Sequence, residues 1–92
     1  MTFTYPAVFT PHTEDRGFHA EFPDLEMCEV DGPDLEDTLD LARDAATDWI
    51  SIELSEFEGD IPMSTHPDDV PVRDGQFVRN IMIHVKLLPD ND

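Results

Sequence analysis

The spacing of apolar residues changes once along this 92-residue chain, and that change limits the folds open to it more than any other feature. Up to Gly32 apolar side chains recur at every second position; after Pro33 they recur at helical spacing. In Phe3 to Thr10, Phe3, Tyr5, Ala7 and Phe9 fall on one face and mostly Thr on the other, as in a strand with one buried side. Gly17 to Phe22 alternates again, with Phe18, Ala20 and Phe22 opposed to His19 and Glu21. The polar turn from Pro11 to Gly17 joins the two runs as a β-hairpin. Cys28 to Asp31 makes a short third strand that Gly32-Pro33 ends. Pro6 has no N–H to give to a ladder, so the first strand is expected to bulge there or to run along an edge.

Beyond Pro33 the pattern is that of one long helix. Asp34 is a good N-cap, and Glu36 and Asp37 suit the positive end of the helix dipole. Leu35, Leu39, Ala42, Ala46, Trp49, Ile50, Leu54 and Phe57 form an apolar stripe, and Gly59 is the stop. Residues 58–75 carry Pro62, Pro67 and Pro71 and read as a surface loop held by Ile61 and Met63 at most. Gln76 to Leu88 is the last strand, with Ile81, Ile83, Val85 and Leu87 inward and Asn80, Met82, His84 and Lys86 outward; 89–92 is expected to be a disordered tail. The order β-β-β-α-β predicts a two-layer α+β or α/β unit, one helix on a four-stranded sheet. A helix between the third and fourth strands predicts a right-handed crossover, and with it a mixed sheet. Residues 1–92 are expected to form a single domain, because a chain this short cannot build two cores.

The charge narrows function. Asp and Glu number 22 against 5 Lys and Arg, for a net charge of −17. Arg16, Arg43, Arg73, Arg79 and Lys86 are too few to displace counterions from phosphates, so direct binding to nucleic acid is not expected. Such a surface favours fast capture of a basic partner, although solubility or a salt-adapted host would also account for it. Cys28 is the only cysteine, so no intramolecular disulfide can form. The N-terminus lacks the basic and apolar regions of a signal peptide, and no run approaches the ~20 apolar residues of a membrane span. The expected location is the cytoplasm.

Tyr5-Pro6-Ala7-Val8-Phe9, the polar turn, Gly17-Phe18 and Glu21-Phe22-Pro23-Asp24-Leu25 together resemble the opening of HicB-type antitoxins. That family continues with a short strand, a Gly-Asp/Thr-Leu-Glu-Glu-Ala helix start and an Ile-Pro beyond the helix. Gly32-Pro33-Asp34-Leu35-Glu36-Asp37 and Ile61-Pro62 stand at the corresponding places. The resemblance implies a partial RNase H-like unit with sheet order 3-2-1-4, which puts the first strand inside the sheet and Pro6 at a local irregularity. It also implies a role: binding and silencing HicA, a small basic toxin that cleaves mRNA. Two features depart from the family pattern. Glu26-Met27 stands where Pro-Gly is usual, and the chain ends at Asp92, just past its last strand. The helix-turn-helix or ribbon-helix-helix module with which most HicB antitoxins repress their own operon is therefore expected to be absent.

On the helix, Glu36, Asp40, Asp44 and Asp48 recur every fourth residue, opposite the apolar stripe. Like charges at this spacing cost roughly 0.2–0.5 kcal/mol per pair, about 1 kcal/mol for the ridge. The dipole offsets this at Glu36 but not at Asp44 or Asp48. Such a ridge is expected to meet a basic surface on a partner, standing in for RNA phosphates; the alternative is the solvated face of an acidic protein. No catalytic, cofactor or metal site is expected. His12, His19, His66 and His84 are not at ligand spacing, Cys28 has no second cysteine, and Asp31, Asp34 and Asp37 lack the EF-hand pattern. RNase H-type chemistry gathers several carboxylates around metal ions, and the strands offer only Glu21, Glu29 and Asp31. The chain has neither a nucleophile elbow nor a glycine-rich phosphate loop. Two functions remain: an antitoxin that neutralises a HicA-type toxin, or an orphan adaptor or oligomerisation module with no toxin and no activity. A small nuclease comes third. Unprotected sheet edges make a homodimer or higher homo-oligomer an expectation in either case.

Overall fold

The computed structural model describes residues 1–56 and 61–85. In chain order they form β1 (Thr2–Pro11), β2 (Phe18–Glu21), β3 (Glu29–Gly32), α1 (Leu35–Glu56), a short 3-10 turn (Pro67–Asp69) and β4 (Phe77–His84). Phe57 and Gly59 of the expected stripe and stop lie outside the described residues, as do Lys86, Leu87 and the tail 89–92.

The strands form one sheet in the order β3-β2-β1-β4, the order the resemblance implies. All three pairings are antiparallel, which corrects the mixed sheet expected from a crossover. The reason lies at one end of the sheet. There Gly32 ends β3 opposite Phe18, α1 begins, and Phe77 begins β4 with its ring edge-on to Phe18. A helix feeding straight into β4 would make that strand parallel to β3. Instead the segment from Ile61 to Gln76 brings the chain back to the starting end first. Its path is pinned by Tyr5 Oη donating to Pro62 O (2.5 Å), by Thr65 on Asp24, and by Gln76 Nε2 donating to Thr10 Oγ1 (2.9 Å). The result is an α+β unit, one helix on an antiparallel sheet.

Pro6 needs no irregularity. Met1 and Val85 exchange both backbone hydrogen bonds, at 3.0 and 2.9 Å. The bonded and non-bonded pairs of an antiparallel ladder alternate, so Pro6 opposite Asn80 falls at a non-bonded pair. Its nitrogen faces the β2 side, where pairing begins only at Val8. The β1–β4 register runs unbroken from Thr2 to Phe9.

The core lies between sheet and helix. Tyr5, Ala7, Phe9, Ala20, Phe22, Ile81, Ile83 and Val85 meet Ala42, Ala46 and Ile50, with Leu25 and Cys28 closing one end. Small residues on the helix let it lie close to the strands. Asp34 is the cap, its Oδ1 accepting from the Asp37 N–H at 2.8 Å. Thr38 is fully buried among the apolar residues because its hydroxyl is satisfied by Asp34 O at 2.5 Å. Where β3 meets this first turn, a Cβ on Gly32 would lie 2.9 Å from both Cα and N of Thr38, so only glycine fits. The second face of β1 was expected to be open, yet Tyr5 to Phe9 are all buried. Val70 of the returning segment, 8% exposed, lies with Val8 in a cleft on that face. Ile61 packs on the core as expected, whereas Met63 is 89% exposed and anchors nothing.

Candidate functional site

Two acidic surfaces stand on opposite sides of the molecule. The first is the outer face of α1, where Glu36, Asp40, Asp44 and Asp48 are all exposed. Among the described residues, one cation approaches this ridge: Arg43 Nη1 lies 3.5 Å from Asp40 Oδ1, a long and exposed pair that contributes little. Four residues beyond Asp48, the ridge runs into Ile52, which is 50% exposed. Ile52, Met27 and Trp49 line a shallow groove of about 320 Å³ between Glu26 and Glu53. Trp49 Nε1 donates to Glu26 O at 2.9 Å and holds the turn against the helix.

Met27 is 89% exposed and has φ 62, in the left-handed region. That conformation costs a non-glycine residue on the order of 1 kcal/mol or more. It is also where HicB-type sequences have the glycine of Pro-Gly. The backbone here keeps a conformation suited to glycine while presenting a methionine to solvent. The sequence pattern gives no sign of this apolar groove beside the acidic ridge, because the Glu26–Cys28 turn carries no periodicity.

The second surface is the face of the sheet away from the helix. β2 and β3 pair Glu21 with Glu29 and His19 with Asp31, so these four side chains share that face. His19 Nε2 lies 3.0 Å from Glu29 Oε1, and its Nδ1 lies 3.3 Å from both oxygens of Asp31. His12 uses both ring nitrogens, Nδ1 on Asp15 Oδ1 (2.8 Å) and Nε2 on Asp31 Oδ1 (2.9 Å). A ring with a carboxylate at each nitrogen has two acceptors to satisfy, so Asp31 first and Asp15 second push His12 above the ordinary histidine value. The same contacts hold Asp31 low, His12 before His19. The Gly17 N–H and then His12 hold Asp15 low.

Cys28 and Tyr5 are both held in the core. Cys28 is buried, and burial pushes its thiol up, away from the thiolate a nucleophile needs. Tyr5 is raised by burial and by the nearby Asp24, and its hydroxyl is spent on Pro62. Among the described residues no buried side-chain polar atom lacks a partner, and no helix is long and apolar enough to cross a membrane.

No model of a known protein family matches the sequence, and a search of curated proteins finds no match. Solved structures do match the fold. A chain of a toxin–antitoxin complex from Streptococcus pneumoniae is similar at a TM-score of 0.80 and 16% identity, over 91% of this chain and 70% of that one. A chain of the HicA3 and HicB3 toxin–antitoxin complex is similar at a TM-score of 0.64 and 20% identity, over 92% of this chain and 100% of that one. At such identities the likeness is one of fold, and it supports the HicB-like architecture that Tyr5-Pro6-Ala7-Val8-Phe9 and Phe22-Pro23-Asp24-Leu25 imply.

Proposed function

We propose that this chain, with its HicB-like fold, is an antitoxin that binds and neutralises a small basic mRNA-cleaving toxin of the HicA type. One observation carries this reading: the fold of chains from toxin–antitoxin complexes coincides here with a net charge of −17. An RNA-cleaving protein must offer positive charge to phosphates, and an acidic protein seated on that charge competes with the RNA. Glu36, Asp40, Asp44 and Asp48 are the proposed contact, with Met27, Trp49 and Ile52 as its apolar anchor. On this reading a partial RNase H-like unit serves binding rather than catalysis, needs no cofactor, and works in the cytoplasm where messages are. The sides of β3 and β4 that have no strand partner among the described residues are where copies would join in a homodimer or higher oligomer.

The test is whether the full chain, purified from its host, brings with it a small basic protein, with growth rescue on co-expression of that protein as the second readout. Reversing Asp40, Asp44 and Asp48 to Lys is expected to weaken the complex about 100-fold at low salt and much less at high salt. Met27→Gly suits the local backbone and keeps the fold, and is expected to weaken it about tenfold. Unchanged affinity in the triple reversal moves the contact off the helix. Absence of both rescue and complex leaves the adaptor reading, the same fold with no toxin to bind.

A further inference from the structure

On the face of the sheet away from the helix, β2 and β3 gather three metal-binding groups beside the cleft of Val8 and Val70. His19 and Glu21 are two residues apart on β2 and point the same way, and Glu29 stands directly opposite Glu21 on β3. The Phe22 N–H bonds Cys28 O in the next pair, so by alternation Glu21–Glu29 is a non-hydrogen-bonded pair, the kind with the closer side chains. Carboxylates so placed repel. Among the described residues the Arg or Lys ion pair is Arg43 with Asp40, so neither glutamate is paired with such a cation; Arg73 lines the same cleft as Glu21 without pairing with it. One ligand atom from each of His19, Glu21 and Glu29 lies within 4.8 Å of the other two, and His19 Nε2 is 3.0 Å from Glu29 Oε1. Ligands on a single ion at bond lengths near 2.1 Å sit about 3.0–3.5 Å apart, so small side-chain rotations would close the set.

We infer that His19, Glu21 and Glu29 form a site for one divalent transition-metal ion, with Zn²⁺ as the reference case. Asp31 is placed to accept from His19 Nδ1–H, so an ion that takes the place of the Nε2 contact with Glu29 would meet the Nε2 lone pair. That is the arrangement in which a carboxylate fixes the tautomer and orientation of a ligating imidazole. His12 Nε2 also holds Asp31, at Oδ1, 2.9 Å away. An imidazole with two carboxylates suits zinc and its neighbours, whereas Mg²⁺ and Ca²⁺ prefer oxygen alone. Three protein ligands leave a position for water. The ion turns the most repulsive cross-strand pair into a link that ties β2 to the edge strand β3. Histidine and cysteine spacing along the chain does not show this set, because the antiparallel register and not the sequence interval brings Glu29 to His19.

The experiment is calorimetric titration of the full chain, without any partner, with Zn²⁺ and separately with Mg²⁺. One Zn²⁺ per chain is expected, with at least a tenfold loss in His19→Ala and again in Glu29→Gln. The nitrogen-15 shift of the His19 ring in the wild type should report Nε2 coordination, and circular dichroism confirms that the variants fold. Asp44→Asn together with Asp48→Asn should change Zn²⁺ affinity less than twofold. The inference is overturned if Mg²⁺ matches Zn²⁺, if His19→Ala and Glu29→Gln bind as the wild type does, or if the helix variant loses as much. Each of those results would mean diffuse attraction to an acidic surface.

Discussion

The helix ridge and the β2–β3 half of the opposite sheet face are both crowded with carboxylates, yet they handle the repulsion differently. On α1 the acidic groups are a helical turn apart, face water, and have Arg43 alone close by among the described residues. On the sheet they are closer, but His12 and His19 are threaded between them and bond to Asp15, Glu29 and Asp31. The ridge leaves its repulsion to be relieved by something outside the chain. The sheet face has bases of its own beside Asp15, Asp31 and Glu29, and leaves Glu21 without one among the described residues. Net charge alone does not separate these cases; the position of the bases does.

The change expected to break both surfaces together is Gly32→Ala. Gly32 joins β3, which carries Glu29 and Asp31, to the first turn of α1, which carries Glu36. A methyl there meets the Thr38 backbone, and backbone cannot swing aside as a flexible side chain can. Overpacking of this kind costs about 1–3 kcal/mol, and the upper end is expected here. Urea unfolding should show the loss, with partner binding and Zn²⁺ binding falling in step. A variant that loses one and keeps the other would show that the two faces do not depend on the same junction.

The elements themselves were legible in the sequence because each carries its own period: two for β1 and β2, 3.6 for α1, and an Asp34 cap between them. The direction of β4 was not, because it is decided by residues 61–76, whose prolines and polar residues have no period to read. The burial of Val8 followed the same route, since Val70 is a lone apolar residue in a polar stretch. Thr38 looks polar in a linear pattern, and becomes a core residue only once Asp34 O is found beside it. The acidic ridge is a fourth-residue repeat and could be read directly. The His19–Glu21–Glu29 set requires knowing that Glu21 pairs with Glu29, and a one-residue slip of that register would send the groups to opposite faces.

A smaller effect sharpens the contrast between the surfaces. Asp44 faces Asp40 and Asp48 at i−4 and i+4, and a lysine there turns two repulsions into two attractions. Asp44→Lys is therefore expected to stabilise the chain by about 1 kcal/mol. The same variant should bind a basic partner less tightly, so stability and binding move in opposite directions. On the sheet, Glu29→Lys gains an attraction to Glu21 but loses the contact with His19, and its unfolding midpoint should barely move. If Asp44→Lys gives no gain, the ridge is already neutralised within the chain and the comparison fails.

The smallest effect is a pH dependence confined to the sheet face, because α1 carries no histidine. His12 is raised in the folded state, so its contribution is fully present below the ordinary histidine value of 6.5 and is lost as pH rises through the folded value. Asp15 and Asp31 are lowered, so theirs is present above 3.8 and is lost as pH falls through their folded values. The window in which all three contribute therefore runs from about pH 4 to about pH 6.5. With chelator present, the difference in urea midpoint between wild type and His12→Gln should be larger at pH 5.5 than at pH 8.5. Comparing against that variant removes the general relief of acidic repulsion at low pH, which both proteins share. NMR titration of the His12 ring gives the finer check. Asp31→Asn should lower its midpoint more than Asp15→Asn, since Asp31 is the stronger cause. The reverse order would put the weight on the local turn rather than on the bridge from His12 to β3. The sheet face would then hold its charge by neighbours in sequence, as the helix does, and not by strand pairing.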